Sequence, residues 1–148
     1  MAVALRVHED PRRFAAELVE ASRDRPEWLA AFAGELEAQV LTDQLRRTLA
    51  VWGLSGAEAA GVFGVSRQAL SKWLANGIPA ERLEVVATMA AATDLLVHHL
   101  KRDRIPATVR RKAERLDGHS LLDLFAARRS REALAACRAM FDWQSAHA

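Results

Sequence analysis

One segment restricts the fold of this chain more than any other: residues 61–77, which read GVFGVSRQALSKWLANG. Ser55 and Ser66 are favourable helix N-cap residues, whereas Gly64 and Gly77 tolerate the backbone conformations at which helices end. The sequence therefore predicts two short helices that are joined by a three-residue turn.

The same window has the residues that two crossing helices need. Such helices require a small residue at the crossing, glycine in the turn and apolar side chains facing inward. Ala60 is the small residue, and Gly64 follows it by four positions in the turn. The predicted inward residues are Ala59, Phe63, Val65, Leu70 and Trp73. The pattern predicts a helix-turn-helix.

With these residues turned inward, the second helix presents a polar outer face. Arginine can bind guanine with two hydrogen bonds and glutamine can do the same for adenine, while serine, lysine and helix N-terminal amides hold phosphate oxygens. A solvated surface without a ligand is the alternative. The residues predicted to contact DNA are Ser66, Arg67, Gln68, Ser71 and Lys72.

The remainder of the chain also favours helices. Alanine, leucine, arginine and glutamate dominate, and β-branched residues never alternate over a long run. Asp10 with Pro11 predicts the start of a first helix, and an apolar stripe predicts a second helix that ends at Trp52, with Gly34 as a point where it bends or splits. Trp28, Trp52 and Trp73 are expected in the core. We predict an all-α fold.

Composition restricts the class of protein further. The chain has 148 residues and a net charge of +2, and no run of apolar residues is long enough for a membrane helix. The N-terminus lacks the pattern of a secretory signal, so a cytoplasmic location is expected.

A lone cysteine, Cys137, is expected to be a buried thiol. Residues 101–131 hold ten basic and four acidic side chains, which favours an anionic partner there or an exposed arginine-rich helix face.

The segment GVSRQALSKWL resembles the lambda-repressor and Cro class of DNA-binding domains, the XRE-like family. The resemblance implies five helices over residues 38–102 that bind double-stranded DNA. Gly56 occupies the position where that class often has a glutamine that braces the reading helix against phosphate. Because one reading helix buries too little surface for specific binding, we expect a homodimer.

The segment IPATVRRKAERLDGHSLLDLF, residues 105–125, is similar to the toxin-binding C-terminal domain of Xre/MbcA/ParS-type antitoxins. The matching residues are Leu116, Gly118, Ser120, Leu121, Asp123 and Leu124. This resemblance implies a protein that represses its own operon as a dimer. It also implies that the C-terminal module covers the active site of a RES-like toxin that degrades NAD.

Together these patterns predict three parts: an N-terminal helical extension over 1–35, a helix-turn-helix domain over 36–103 and a helical interaction module over 104–148. The function expected is a sequence-specific transcriptional regulator that also acts as an autoregulating antitoxin; the alternative is a module that neutralises a toxin, with DNA binding secondary or absent. Candidate phosphate or partner contacts are Arg110, Arg111, Lys112 and Arg115, and candidate dimer or partner contacts are Phe141 and Trp143.

Enzymatic readings have little support in the sequence. The segment around Ser66 lacks the second glycine and the preceding strand of a hydrolase nucleophile elbow. Asp94 and His98 are one helical turn apart, but they lack the further ligands that zinc requires. We therefore expect neither an enzyme nor a protein with a cofactor or metal.

Overall fold

The computed structural model describes residues 10–146, with side chains as far as residue 142. Every regular element in this part is helical, which confirms the all-α class. The helices are α1 (Pro11–Ala21), α2 (Pro26–Trp52), α3 (Gly56–Phe63), α4 (Arg67–Asn76), α5 (Leu83–His99), α6 (Ile105–Arg110), α7 (Leu121–Ala126) and α8 (Ser130–Ala146). Short 3-10 turns cover Ala80–Arg82, Arg102–Arg104 and Glu114–Leu116.

Helix starts and ends follow the predicted capping residues. The Asp10 carboxylate accepts a hydrogen bond from the Arg12 amide at 2.9 Å and opens α1. Helix α2 continues through Gly34 without a break and ends at Trp52, where Gly53 adopts a left-handed φ of 63°. The predicted split at Gly34 is therefore wrong, because one glycine lowers helix propensity without interrupting the hydrogen-bond ladder.

The chain forms two compact units that meet between Glu37 and Ala38 in sequence. The first unit contains α1 and the beginning of α2. The second contains the rest of α2 and every later helix, so α6 to α8 belong to the same compact unit as the predicted helix-turn-helix.

One core joins the helices of the second unit. Trp52, at the end of α2, is fully buried and meets Phe125 of α7 edge to face, with ring centroids 5.5 Å apart. The buried hydroxyls of Thr48 and Thr93 lie 3.1 Å apart and link α2 to α5. Helix α8 packs along α5, and α3 packs on both α4 and α7. The C-terminal helices therefore stabilise the central ones directly.

The five helices that the resemblance implies for residues 38–102 are not all present. This stretch holds the second half of α2, then α3, α4, one 3-10 turn and α5. The fold is thus all-helical, with a different helix count from the one expected there.

Residues 105–125 form an ordered arm. Proline disfavours a helical conformation in the preceding residue, yet Ile105 opens α6 with Pro106 in its first turn, where proline is tolerated. The arm then turns through Asp117 and Gly118, both with positive φ, and an isolated antiparallel bridge joins Ala113 to His119. Ser120 caps α7 and forms a reciprocal capping box with Asp123.

Two of the three tryptophans expected in the core are buried. Trp52 is 0% exposed and Trp73 is 7% exposed, which confirms the prediction for both. Trp28 is 40% exposed, so its predicted core position is wrong. Helical periodicity identified the face on which Trp28 lies but not whether another element covers that face.

Candidate nucleic-acid interface

The turn between α3 and α4 is built by local hydrogen bonds. Ser55 and Glu58 form a reciprocal capping box at the start of α3: the Ser55 hydroxyl accepts from the Glu58 amide, and the Glu58 carboxylate accepts from the Ser55 amide. Gly64 ends α3 with φ 63°, a left-handed conformation that favours glycine. The Ser66 hydroxyl then accepts from the Ala69 amide at 3.0 Å and opens α4.

The Ser55 capping box also affects charge. The backbone hydrogen bond from Ser55, together with Arg110, lowers the pKa of Glu58. The carboxylate is therefore held in its charged form at neutral pH, in which it stabilises the N-terminus of α3.

The inner face of this motif packs as predicted. Phe63 of α3 and Trp73 of α4 meet edge to face, with centroids 5.5 Å apart and an angle of 68°. Leu70 is 3% exposed, and Ala59 and Ala60 are buried where the helices approach. Val65, in the turn, is half-buried. The apolar side of α4 is thus anchored against α3.

The outer face of α4 is open to solvent. All the residues predicted to contact DNA are exposed and lie on one helix or at its cap: Ser66, Arg67, Gln68, Ser71 and Lys72. In this row, a guanidinium, a carboxamide, an ammonium and two hydroxyls surround the N-terminal half of a ten-residue helix. These groups can donate hydrogen bonds to the acceptor atoms of base edges and phosphates.

Two arginines that the sequence analysis did not identify fix the position of α4. Arg82 donates to the carbonyl oxygen of Phe63 at 2.9 Å, and its guanidinium lies over the Trp73 ring, 5.6 Å from the centroid. Arg46 of α2 donates to the carbonyl oxygen of Leu74. These contacts span 19 and 28 positions in sequence, so no local pattern could have indicated them.

Gly56 is the first residue of α3 and is exposed. A Cβ atom added there would meet nothing within 4 Å. Position 56, where the lambda-repressor and Cro class often has glutamine, can therefore accept a side chain without a clash.

The basic residues of the arm divide into two groups. Arg110 is half-buried and donates to the carbonyl oxygens of Trp52 and Pro106 at 2.8 Å and of Gly53 at 2.9 Å. It also contacts the Glu58 carboxylate at 3.3 Å. Arg110 is thus engaged inside the molecule, where it completes the C-terminus of α2. The members of the group that are exposed are Arg111, Lys112 and Arg115.

Phe141 is a buried residue of α8. It is 5% exposed and stacks on His99, with centroids 4.2 Å apart and an angle of 11°. The ring packs α8 against α5, and the predicted dimer or partner contact of Phe141 stays a prediction. Trp143 lies in α8, and its side chain lies outside the described residues.

The structure also places the side chains that were considered for catalysis or metal binding. Burial raises the pKa of Cys137 to about 11, so the thiol stays protonated at neutral pH. Asp94 pairs with Arg47, and His99 stacks on Phe141. Within the described residues, no group of three or more histidine, cysteine or carboxylate side chains is arranged to hold a metal ion.

No helix of the described chain combines the length and apolar character needed to cross a membrane. No protein-family model matches the chain, and no curated protein matches it significantly.

Proposed function

We propose that this protein is a sequence-specific DNA-binding transcriptional regulator that acts as a homodimer and inserts α4 into the major groove. The observation that carries the proposal is the two-sided character of α4. Leu70 and Trp73 anchor its inner side, while the row from Ser66 to Lys72 is exposed on the other. A rigidly held helix with exposed donors at its N-terminal half suits direct readout of bases.

The electrostatics of the row support the same proposal. Arg67 and Lys72 bring positive charge to a surface that has no acidic residue between Ser66 and Asn76. DNA binding by such a surface releases counterions, so the affinity falls steeply with salt.

The experiment that tests the proposal is selection of bound sites from a random duplex pool, followed by affinity measurements at two salt concentrations. We expect one enriched sequence, with two related half-sites whose centres are about 34 Å or a multiple apart. Enrichment of no sequence, together with equal affinity for all duplexes, would remove the claim of specific readout.

A second candidate function is toxin neutralisation, alone or together with autoregulation. A cleft of about 380 Å³ lies beside the arm; Arg111 and Arg115 outnumber the one acidic lining residue, Glu114, and Leu116, Leu121 and Met140 are among the apolar lining residues. An exposed basic rim over an apolar floor suits a protein partner with an acidic edge. The expected partner is a RES-like toxin.

This candidate is tested by co-expressing the full chain with a RES-like toxin encoded next to it. The full chain is needed because α6 to α8 share a core with α2 to α5. We expect Arg111→Glu with Arg115→Glu to abolish rescue of growth, and Arg67→Ala with Gln68→Ala to preserve it. Rescue by the charge-reversed variant would exclude this surface.

A further inference from the structure

The described part of the first compact unit, residues 10–37, has almost no core of its own. Among residues 10–37, Ser22 alone is buried, and no apolar side chain in this range is. Helix α1 has only 11 residues, and isolated helices shorter than about 12–15 residues are marginal in water. An apolar row on such a helix that faces no core is free to be covered by another surface.

Large apolar side chains are exposed in this region. Trp28 is 40% exposed and Leu36 is 54% exposed, and Phe32 lies half-buried between them. These three residues are four positions apart, so they form a row on one side of α2 that is about 12 Å long. Trp28 and Phe32 already stack, with centroids 5.4 Å apart and an angle of 12°. We call this row the α2 face.

The charged residues beside the α2 face favour pairing with a second copy of the chain. Arg25 lies over the Trp28 ring at 5.3 Å from the centroid, at the N-terminal end of the face. Glu35 adjoins Leu36 at the C-terminal end. When two copies pair antiparallel, Trp28 of one copy meets Phe32 of the other, and each Arg25 meets the other copy's Glu35. A parallel pairing would instead set Arg25 against Arg25.

We infer that the α2 face is where a second copy of this chain binds, through an antiparallel pair of α2 helices related by a two-fold axis. The inference deepens the proposed function, because two reading helices on one DNA site need a two-fold dimer. It also moves the dimer contact away from Phe141, which is buried. A row of three partly exposed side chains offers less contact surface than a standard interface, which buries roughly 800 Å² per partner, so we expect micromolar self-association without DNA.

Sedimentation equilibrium of the full chain, without DNA, tests this pairing. We expect a monomer–dimer equilibrium in wild type. Leu36→Glu should raise the dissociation constant at least about tenfold, since in this register it places a carboxylate opposite Asp24 of the other copy. The matched control is Ala30→Glu, which places the same charge on the opposite, exposed side of the same helix. A wild-type monomer at every concentration, or self-association in the Leu36→Glu variant equal to wild type, would overturn the inference.

Charge exchange tests the antiparallel direction. Arg25→Glu and Glu35→Arg should each weaken the dimer, and the two changes together should restore it, because the swapped charges again face each other. Failure of the double variant to recover would overturn the antiparallel pairing. A wild-type monomer that instead forms a one-to-one complex with a toxin would assign the face to that partner and overturn the inference.

The reading-helix variant separates this inference from the proposed function. Arg67→Ala with Gln68→Ala should dimerise like wild type even though its affinity for DNA is reduced. Loss of self-association in this variant would contradict the placement of the dimer contact on α2.

Discussion

At the scale of single residues, the candidate interface depends on which polar groups are already engaged within the fold and which are not. Arg67 and Gln68 have open positions on α4, whereas Arg110 donates to three backbone carbonyls and cannot also reach a phosphate without breaking them. Arg67 and Arg110 have the same side chain, but only Arg67 is open to a ligand. Their surroundings, not their chemistry, distinguish them.

Gly56 provides a test of phosphate bracing. Replacement of Gly56 by Gln adds a carboxamide at the start of α3, where the added Cβ has open space. One new hydrogen bond to a phosphate should raise DNA affinity about fivefold. Fluorescence anisotropy with the selected operator measures the change.

Gly56→Ala is the control for this change. It lowers the conformational entropy of the unfolded chain without adding a donor, so it should stabilise the fold by about 0.4–1 kcal/mol and leave the affinity unchanged. Equal affinities for the Gln and Ala variants would show that α3 does not approach the phosphate backbone there.

Cys137 should be inert in the native protein. Burial raises the pKa of its thiol to about 11, and the thiolate is the form that reacts. Labelling with an aromatic disulfide reagent at pH 8 should proceed only after unfolding in denaturant. Labelling of the native chain within minutes would contradict the burial of α8 against α5.

At the scale of elements, Arg110 joins α6 to the end of α2 and the start of α3. Arg110→Lys should lower the free energy of unfolding by about 2 kcal/mol, because one ammonium cannot satisfy the same set of carbonyls. Urea denaturation measures this loss. The neighbouring exposed Arg111→Lys is the matched control, and an equal effect of both changes would contradict the capping role of Arg110.

Two capping boxes, Ser55 with Glu58 at α3 and Ser120 with Asp123 at α7, predict a specific response to acid. Backbone hydrogen bonds from Ser55 and Ser120 lower the pKa values of Glu58 and Asp123, so both carboxylates are more acidic in the folded chain than in the unfolded one. Their contribution is present at neutral pH and is lost as the pH falls through the carboxyl range, near pH 4 and below. Thermal melting should therefore show declining stability in that range.

Matched variants isolate this contribution. Glu58→Gln with Asp123→Asn should lower stability at pH 7 and reduce its dependence on pH below 5. Glu81→Gln with Asp103→Asn removes the same number of carboxylates from exposed positions and should change neither. Equal pH profiles for the two double variants would assign the acid response to other groups.

Helix starts could be predicted from local sequence signals, whereas contacts between residues far apart in sequence could not. Asp10, Ser55, Ser66 and Ser120 each mark a helix start, because a cap bonds to an amide two or three positions away. Arg110 bonds to a carbonyl 58 positions away, which no nearby residue indicates. Trp28 shows a second limit: periodicity assigned it to an apolar face, but only the packing of the chain shows that this face is exposed.

At the scale of the whole molecule, the second compact unit joins α4 to the arm. Helix α3 packs against α4 on one side and α7 on the other, and Trp52 connects the end of α2 to Phe125 of α7. DNA binding and partner binding would therefore use one core with two separate surfaces. Variants that affect one surface should leave the other functional.

The claim that the outer face of α4 reads DNA is tested most directly by the double variant Arg67→Ala with Gln68→Ala. Fluorescence anisotropy measures its affinity for the selected operator. Each lost bidentate base contact costs about 1–3 kcal/mol, so the affinity should fall at least about thirtyfold. The variant Arg138→Ala removes the same charge from an exposed site on α8 and should bind like wild type. Circular dichroism should show unchanged helix content. Affinity of the double variant within about twofold of wild type would contradict the account that α4 reads DNA.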